Sequence, residues 1–337
     1  MRAVFFVLLA LAITVPIGVN DVFANDGNDI LEIESLEYSG TDGRHNSLVQ
    51  VDSDTYALAY AGNDDNGFIS TFTISSDGTS IVQVDNLEHD DERGQYNSLV
   101  HVDSDTYALA YTGEGEDGFI STFTIDSDGN ITAVKTQSEG NNLEHDADQG
   151  DDSVLHNSLV KVNSNTIALA YAGAGEDGFI STFTIDSNGA ITPILIQNHA
   201  VKGGSANLEH DDERGQFNSL LQVDSDTYAL AYEGLNRDGY ISTFTIDSNG
   251  AITPIQIENY ANTDTVDDVD NLEHDANRGS FNSLVHVDSD TYALAYTQWG
   301  EDGFISTFTI DSDTGAISPI LIQNHAVKGG SANLEHD

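Results

Sequence analysis

Hydrophobic and polar residues alternate in short blocks along the chain, and the same blocks recur. In one copy, Tyr107-Ala108-Leu109-Ala110-Tyr111 places two tyrosines and a leucine at every second position, with alanines between them. Alternation with a period of two is typical of a β-strand, whose successive side chains point to opposite faces. Because both faces of this segment are apolar, we expect the strand to be buried on both sides.

Four such segments make up each copy of the block. In the second copy they cover residues 97–102, 107–111, 119–125 and 130–134. A turn at 126–129, Asp-Ser-Asp-Gly, separates the third segment from the fourth, and its glycine suits the positive φ of a tight hairpin. We expect the segment 142–146, Asn-Leu-Glu-His-Asp, to open the next copy.

An Asn-Ser-Leu motif marks the first segment of every copy. Its asparagines are Asn46, Asn97, Asn157, Asn218 and Asn282, at spacings of 51, 60, 61 and 64 residues. Repeats of this length predict an all-β fold, a β-propeller of four-stranded antiparallel blades with five repeats in an open or truncated ring. The expected blades cover residues 35–85, 86–141, 142–206, 207–270 and 271–332.

The second strand has one bulky face and one small face, so we expect successive blades to stack large against small. Immunoglobulin-like sandwiches need roughly 100 residues each, about twice this unit. A parallel β-helix uses shorter coils and does not need a hairpin glycine in every unit. An open, curved array of blades remains an alternative to the propeller.

The two ends of the chain bear on ring closure. Residues 323–337 repeat residues 197–211 letter for letter, and the expected sixth unit begins at 333–337. An N-terminal segment, residues 25–34, precedes the first blade. Residues 30–38, which overlap it, already supply an outer strand equivalent to the one that opens the expected sixth unit. Two segments thus compete for one closing position, so we expect an open ring or a fragment of a longer array.

The order of these blocks resembles the blade of YVTN-type and lactonase-like propellers of secreted and surface proteins. The blocks are an Asn-containing loop, a strand, an Asp-rich turn, Tyr-Ala-Leu-Ala-Tyr, a glycine loop and Phe-Ile-Ser-Thr-Phe-Thr-Ile-Asp. The resemblance covers residues 35–332 and lies in the blade pattern. It implies a propeller fold, and such propellers often have seven blades, whereas five are present here.

Charge narrows the choice of partners. Asp and Glu number 57 against 10 Lys and Arg, which gives a net charge of -47. Such a surface repels phosphate backbones and anionic lipid, so we expect no nucleic-acid partner and no membrane insertion of the mature chain. Self-repulsion favours a saline or calcium-containing medium. The chain has no cysteine, which excludes disulfides and thiol chemistry.

The N-terminus has the pattern of a signal peptide, at residues 1–24. Arg2 precedes an apolar run that extends from Ala3 to about Ile17, and Ala24 offers a small residue at the cleavage position. An uncleaved anchor helix is the alternative, for which the run is short. We therefore expect a secreted protein, extracellular or at the cell surface.

Two sets of repeated residues are candidate metal ligands. Leu-Glu-His-Asp recurs in successive copies, and a ring of its side chains near a central channel could bind a cation. Asp-x-Asp turns present oxygens that suit Ca²⁺, although Asx-turn capping also explains them. The metal candidates are Glu88, His89, Glu209, His210, Asp103, Asp105, Asp224, Asp226, Asp288 and Asp290. Repetition itself favours a structural role, because a catalytic site normally needs unequal residues.

Residues that differ between copies are better candidates for ligand contact. Trp299 is the single tryptophan and lies in the glycine loop of the fifth copy, while Arg237 occupies the matching loop of the fourth. An exposed tryptophan can stack on a sugar ring, or it can pack against the next blade. His45 and His156 replace the aromatic residue of other copies, an exchange that indicates packing.

The sequence favours a non-catalytic function, because it contains no catalytic motif that we recognise. We expect a binding or structural module, stabilised by Ca²⁺, whose partner is carbohydrate, matrix or a surface protein. One alternative is a metal-dependent propeller enzyme of lactonase-like or lyase-like type. The other is a surface-coat repeat without a ligand.

Overall fold

A computed structural model describes ten stretches of the chain, in which 64% of the residues are in β-strands. They comprise residues 33–40, 42–136, 142–146, 156–194, 207–211, 214–256, 272–275, 279–297, 303–319 and 334–336. Four single-turn 3-10 segments interrupt the strands, each between a second and a third strand: Asn63–Asp65, Glu114–Glu116, Ala174–Glu176 and Leu235–Arg237. None of the helical segments in these stretches is long and apolar enough to cross a membrane.

The strands form five antiparallel sheets, which we call blades 1 to 5. Blade 1 contains β1 Arg44–Gln50, β2 Thr55–Ala61, β3 Gly67–Ile74 and β4 Ile81–Asp90. Blade 2 contains β5 Gln95–Asp103, β6 Thr106–Thr112, β7 Gly118–Ile125, β8 Ile131–Lys135 and β9 Leu143–Asp146. Blade 3 contains β10 Ser158–Lys161, β11 Thr166–Ala172, β12 Gly178–Ile185, β13 Ile191–Pro193 and β14 Asn207–Asp211. Blade 4 contains β15 Gln216–Gln222, β16 Thr227–Glu233, β17 Gly239–Ile246, β18 Ile252–Gln256 and β19 Leu272–Asp275. Blade 5 contains β20 Ser280–Asp288, β21 Thr291–Thr297, β22 Gly303–Ile310, β23 Ile317–Pro319 and β24 Leu334–His336.

The first four strands of each sheet form a meander in which strands that are neighbours in sequence pair in space. The first strands of successive blades contact one another, so they surround a common axis. The predicted class, an all-β array of four-stranded antiparallel blades in an open ring, is confirmed.

The outer edge of each blade, beyond the third strand, is formed by different segments from those that we expected. We expected Leu-Glu-His-Asp to open the next unit, but it pairs with the third strand of the preceding one. In blade 2 both β8 and β9 pair with β7, while in blade 1 a single β4 covers the whole edge. A sheet therefore ends after Leu-Glu-His-Asp, one segment later than the unit boundary that we drew. The variable linker splits the outer strand and does not separate two blades.

Blades stack large against small, as the alternation predicts. Ala57, Ala59 and Ile69 of blade 1 pack in one core cluster with Tyr107 and Leu109 of blade 2. The same arrangement recurs between each later pair of neighbours. We call the Ala-Ala-Ile side the small face and the Tyr-Leu-Tyr-Phe side the bulky face. Each interface removes apolar surface from water on both sheets, at about 25 cal/mol per Å².

Hydrogen bonds between blades explain the serine of Asn-Ser-Leu. The backbone N–H of Leu99 donates to the hydroxyl of Ser47 in the preceding blade, over 2.9 Å. Because the first strand is an edge strand, this N–H has no strand partner on that side. Leu159, Leu220 and Leu284 donate in the same way to the serine of the blade before them, over 2.9, 2.9 and 3.0 Å.

Candidate functional site

In blades 1, 2, 4 and 5 the first strand begins with a β-bulge. In blade 2 the register moves from Gln95 opposite Thr112 to Ser98 opposite Ala110, so two residues face a single partner. One of the two is Tyr96, whose φ is 51°. That left-handed conformation is strained for a side chain with a Cβ. His45, Phe217 and Phe281 share it, with φ of 56°, 53° and 54°. Strain repeated at one position of several blades marks a candidate site.

The bulges of blades 1, 2, 4 and 5, together with His156 before β10, bring five aromatic rings into a continuous row of tilted and edge-on contacts. Ring centroids are 4.0 Å apart between His45 and Tyr96, and 4.8 Å apart between Tyr96 and His156. They are 3.9 Å apart between His156 and Phe217, and 4.5 Å apart between Phe217 and Phe281. Each ring belongs to a different blade. The aromatic exchange that we interpreted as packing therefore does pack, but the rings also form the wall of a cavity.

The asparagine of Asn-Ser-Leu fixes this wall. The side-chain amide of Asn218 donates to Gly215 O in its own blade at 2.8 Å and to His156 O in the preceding blade at 3.2 Å. Asn282 makes the corresponding bonds to Gly279 O at 2.6 Å and Phe217 O at 3.2 Å. The amide thus closes the bulge and holds the aromatic residue of the neighbouring blade, which explains why this motif needs asparagine.

Together these side chains line an open cavity at the axis, of about 340 Å³. The wall consists of aromatic rings and amides alone, without a carboxylate among the lining residues. Its members are His45, Asn46, Tyr96, Asn97, His156, Asn157, Phe217, Asn218, Phe281 and Asn282. A volume of this size and this mixture of apolar faces with a few polar groups are typical of small-molecule sites.

Burial keeps the His45 and Tyr96 side chains of the wall uncharged at neutral pH. It lowers the pKa of the His45 imidazole, and the nearby Arg44 cation lowers that pKa further. Burial also raises the pKa of the Tyr96 phenol. His45 is therefore neutral at pH 7 and can accept a proton, which is the state that a general base requires.

Arginines gather on the rim around the cavity. Arg93 pairs with Glu116 at 2.8 Å, and Arg44 pairs with Asp65 at 2.6 Å. Arg237 makes no ion pair within the described stretches, and with Arg214 it borders a second, open cavity of about 320 Å³. Its backbone carbonyl accepts from Gly279 N at 2.9 Å, which ties the Arg237 loop to the bulge of blade 5.

A buried carboxylate, Glu233, lies on the same rim, and our sequence reasoning missed it. Its side chain is 1% exposed and pairs with Arg214 Nε at 2.7 Å. Ser280 of blade 5 donates to its other oxygen, and Arg214 Nη1 reaches Glu176 of blade 3 at 2.6 Å. The signal was present in the sequence: β16 ends in Glu, where blades 2 and 5 have Thr112 and Thr297.

The Leu-Glu-His-Asp candidates lie between blades and not at the channel. The His89 ring is fully buried, 4.6 Å from the Tyr111 ring, and the His210 ring lies 4.6 Å from Tyr232. Burial lowers the pKa of both imidazoles to about 3. Glu88 accepts from Asn66 at 2.8 Å, and Glu209 is 6% exposed. In the described part of the chain, no group of three or more His, Asp or Glu could hold a metal.

The aspartate turns lie on the opposite rim, at the ends of first strands. Asp224 Oδ1 accepts the N–H groups of Asp226 and Thr227, at 3.1 and 2.9 Å. These bonds bring the pKa of Asp224 below its ordinary value, although burial alone would raise it. In blades 2 and 5 the turn is tighter. Asp103 and Asp288 end a strand there, and Asp105 and Asp290 precede the next strand. The structure brings none of these pairs together with another blade's pair in a metal-binding group.

Several predicted features lie outside the described stretches. These are Trp299, the signal peptide at residues 1–24, and the first and last residues of the predicted start of a sixth unit, whose residues 334–336 form β24. Trp299 as a ligand-binding residue and cleavage before Asn25 therefore stay predictions. Arg237 is described and borders the second cavity, and its role in ligand binding also stays a prediction.

Solved structures with this fold include lactonases. No family model matches the chain, and no curated protein is similar to it in sequence. The periplasmic gluconolactonase of Pseudomonas aeruginosa superimposes with 14% identity and a TM-score of 0.52, over 82% of this chain and 71% of that one. A Bacteroides fragilis protein provisionally assigned as a 6-phosphogluconolactonase shows 15% identity and a TM-score of 0.53, over 82% and 70%. A Lactobacillus plantarum protein shows 15% identity and a TM-score of 0.52, over 83% and 70%.

These similarities define the fold class. The chain has the fold of a lactonase-like β-propeller, as the blade pattern implied, with five blades in an open ring.

Proposed function

We propose that this protein is a lactonase-like propeller enzyme that opens a sugar-derived lactone in the central cavity. The observation that carries the proposal is the axial cavity of about 340 Å³, walled by aromatic rings and amides and containing two imidazoles. Gluconolactonases have the same fold, so the fold comparison favours this alternative over the non-catalytic module.

The wall suits a small ring compound. Aromatic faces pack against the apolar C–H face of a sugar ring, as they pack against other apolar groups. The side-chain oxygens of Asn97, Asn218 and Asn282 accept no hydrogen bond within the described stretches and offer acceptors for its hydroxyl groups. The lining residues carry no carboxylate, so an electron-rich carbonyl oxygen is not repelled there although the net charge of the chain is -47.

The imidazoles supply the proton chemistry. Hydrolysis needs a base that takes a proton from water while the water oxygen bonds to the carbonyl carbon. The C–O bond of the lactone ring then breaks, and the departing oxygen receives the proton. His45 and His156 are the titratable groups of the wall whose ordinary pKa lies near neutrality. Burial keeps His45 neutral at pH 7.

A specific observation favours a second candidate, a non-catalytic carbohydrate-binding module. Three of the five ring positions carry Tyr96, Phe217 and Phe281, which cannot act as bases near neutral pH. The asparagine amides are also engaged with the backbone. In that case the cavity binds its ligand and releases it unchanged.

Two variants separate the candidates. His156→Phe and His45→Phe introduce a residue that other blades already carry at this position, and Tyr96→Phe is the matched control. With δ-gluconolactone as probe, we expect hydrolysis by the unmodified protein, and a loss of about 10²- to 10⁴-fold in at least one histidine variant. Binding measured by calorimetry should be retained in all three.

The remaining outcomes assign or reject each candidate. Saturable binding without hydrolysis identifies the binding module and rejects the enzyme. Neither binding nor hydrolysis of any δ-lactone in a panel rejects both. Activity that survives in both histidine variants rejects the assignment of the base.

We also propose that the protein is secreted after cleavage before Asn25. Support comes from the apolar run behind Arg2 and the small residue Ala24. Mass spectrometry of the mature N-terminus tests this, and a chain that retains residue 1 would contradict it.

A further inference from the structure

The small face of blade 5 is open. Val285, Val287 and Ile305 are 50%, 56% and 37% exposed. In blade 4 the residue that corresponds to Ile305 is Ile241, which is 0% exposed. Ala293 and Ala295, which correspond to fully buried alanines in the other blades, are only half-buried.

The polar groups of this face also lack the hydrogen bonds that the same groups make to a following blade elsewhere in the described stretches. The threonine of the third strand donates to the hairpin glycine carbonyl of the next blade, for example from Thr243 to Gly315 at 2.8 Å. The equivalent Thr307, and Ser283 of Asn-Ser-Leu, make no such bond within the described stretches. Blade 5 thus carries the complete set of groups that bind a following blade in the four closed interfaces.

The bulky face of blade 1 carries a different cover, the segment 33–40. The Tyr38 ring lies 5.0 Å from the Tyr60 ring at 71°, as the His89 ring lies 4.6 Å from Tyr111 at 69°. Ile33 approaches the hairpin glycine of blade 1 as Val84 approaches that of blade 2. Leu36 to Ser39 read Leu-Glu-Tyr-Ser, in register with Leu-Glu-His-Asp.

This segment therefore lies on blade 1 as the outer strand of a preceding blade would. It pairs with no strand of the described residues. Blade 5 has its own outer segment, β24, paired with β22. The segment 33–40 thus occupies the position of an outer strand but does not belong to a described sheet.

We propose that the two free faces form one docking site for further units of this same repeat, the last of which takes residues 33–39 as its outer strand. The four closed interfaces show what fits each face. A second copy of the chain fits less well, because its β24 would occupy the place that Ile33 and Tyr38 hold. The occupant is therefore a polypeptide whose final unit lacks Leu-Glu-His-Asp.

The chain's own sequence supplies the probe. Residues 323–337 repeat residues 197–211, so residues 212–319 can follow Asp337 in native order. The elongated protein carries two added units, and the second ends before its Leu-Glu-His-Asp. Amide hydrogen exchange then reports closure at Leu48, whose N–H has no preceding serine to bind.

We expect the Leu48 amide to exchange at least about tenfold more slowly in the elongated protein than in the five-unit chain, equivalent to about 1.4 kcal/mol. Amides of residues 36–38 should also become protected. An exchange rate of the Leu48 amide that is the same in both proteins would overturn the proposal. This holds whether or not the added units fold, because docking against blades 5 and 1 is expected to order the added units. Concentration-dependent protection in the five-unit chain would instead identify a second copy as the occupant and overturn our choice.

A matched protein extended by residues 212–336 tests the role of residues 33–39. Its last unit keeps Leu-Glu-His, which competes for the same edge. Amides 36–38 should therefore stay unprotected in this variant. Equal protection of those amides in both elongated proteins would overturn the assignment of this segment as an outer strand.

Discussion

The interface between blades 4 and 5 and the outer surface of blade 5 present the same sequence in two surroundings. Ile241 and Ile305 occupy the same position of the same strand, yet the first is fully buried and the second is 37% exposed. Ser219 accepts the N–H of Leu284 at 3.0 Å, while Ser283 has no partner of this kind in the described part of the chain. Burial in this protein is therefore set by the neighbouring blade and not by the unit itself.

The difference means that stability is shared between units and the interfaces between them, as in other repeat proteins. A residue should matter where a following blade covers it and matter little where none does. The bulky face of blade 1 is an intermediate case, because one segment covers it in place of a whole sheet.

The largest effect on stability should come from truncating a buried side chain in a closed interface between two blades. Ile241→Ala leaves a cavity between two rigid sheets and should lower the free energy of unfolding by about 3–5 kcal/mol. The same change at Ile305 should cost less than about 1 kcal/mol, because water already reaches that side chain. Thermal and denaturant unfolding of the two variants gives the comparison. Equal losses would mean that blade 5 is covered in solution.

A second contrast compares a buried ion pair with an exposed one. Glu233→Gln should lower the free energy of unfolding by about 3 kcal/mol, because Arg214 then loses one of its charged partners at a buried position between blades. Glu116→Gln removes the partner of Arg93, whose pair is about a third exposed, and should cost less than about 1 kcal/mol. Unfolding midpoints that fall equally in the two variants would contradict the assigned difference in burial.

Acid should affect closed and open blades alike, because every hairpin caps its own turn. Backbone N–H groups hold the pKa of Asp186 and Asp247 below the ordinary value, and Asp311 is held low chiefly by the Thr314 hydroxyl. A lowered folded-state pKa adds stability above about pH 4, and this is lost as the pH falls through the folded value. Asp186→Asn should therefore flatten the loss of melting temperature between pH 5 and pH 2, relative to the unmodified protein. Asp128→Asn is the control, because that carboxylate caps no N–H within the described stretches.

The smallest expected effect is a specific response to calcium. Asp52 and Asp224 already use one carboxylate oxygen on their own turn. We therefore expect CaCl₂ to raise the melting temperature no more than NaCl of equal ionic strength, measured against EDTA. A clear excess for calcium, near the roughly 2.7 kcal/mol that one site gives at 100 times its dissociation constant, would restore the predicted calcium sites.

Sequence periodicity was sufficient to predict the blades, but it did not predict which segments form their outer edges. The alternation in Tyr-Ala-Leu-Ala-Tyr predicts two buried faces of unequal size, and those faces are the ones that stack. The place of Leu-Glu-His-Asp depends on which strand it pairs with. That pairing is a long-range contact across a linker of variable length, so local pattern favoured the wrong neighbour.

The axial cavity was harder to predict. A bulge adds one residue to a strand, and its left-handed φ at Tyr96 has no signature in side-chain alternation. The signal that could have shown it is the aromatic residue, or histidine, directly before every Asn-Ser-Leu. Glu233 was missed for the opposite reason, because attention to the repeated residues hid a position where blade 4 differs.

Amide hydrogen exchange of the five-unit chain tests the open ring most directly. The leucine amides at positions 99, 159, 220 and 284 each donate to a serine of the preceding blade. We predict that these four are protected and that the equivalent amide of Leu48 exchanges fast. Protection of Leu48 equal to that of the other four in the dilute monomer would show that the ring is closed, and would contradict the account.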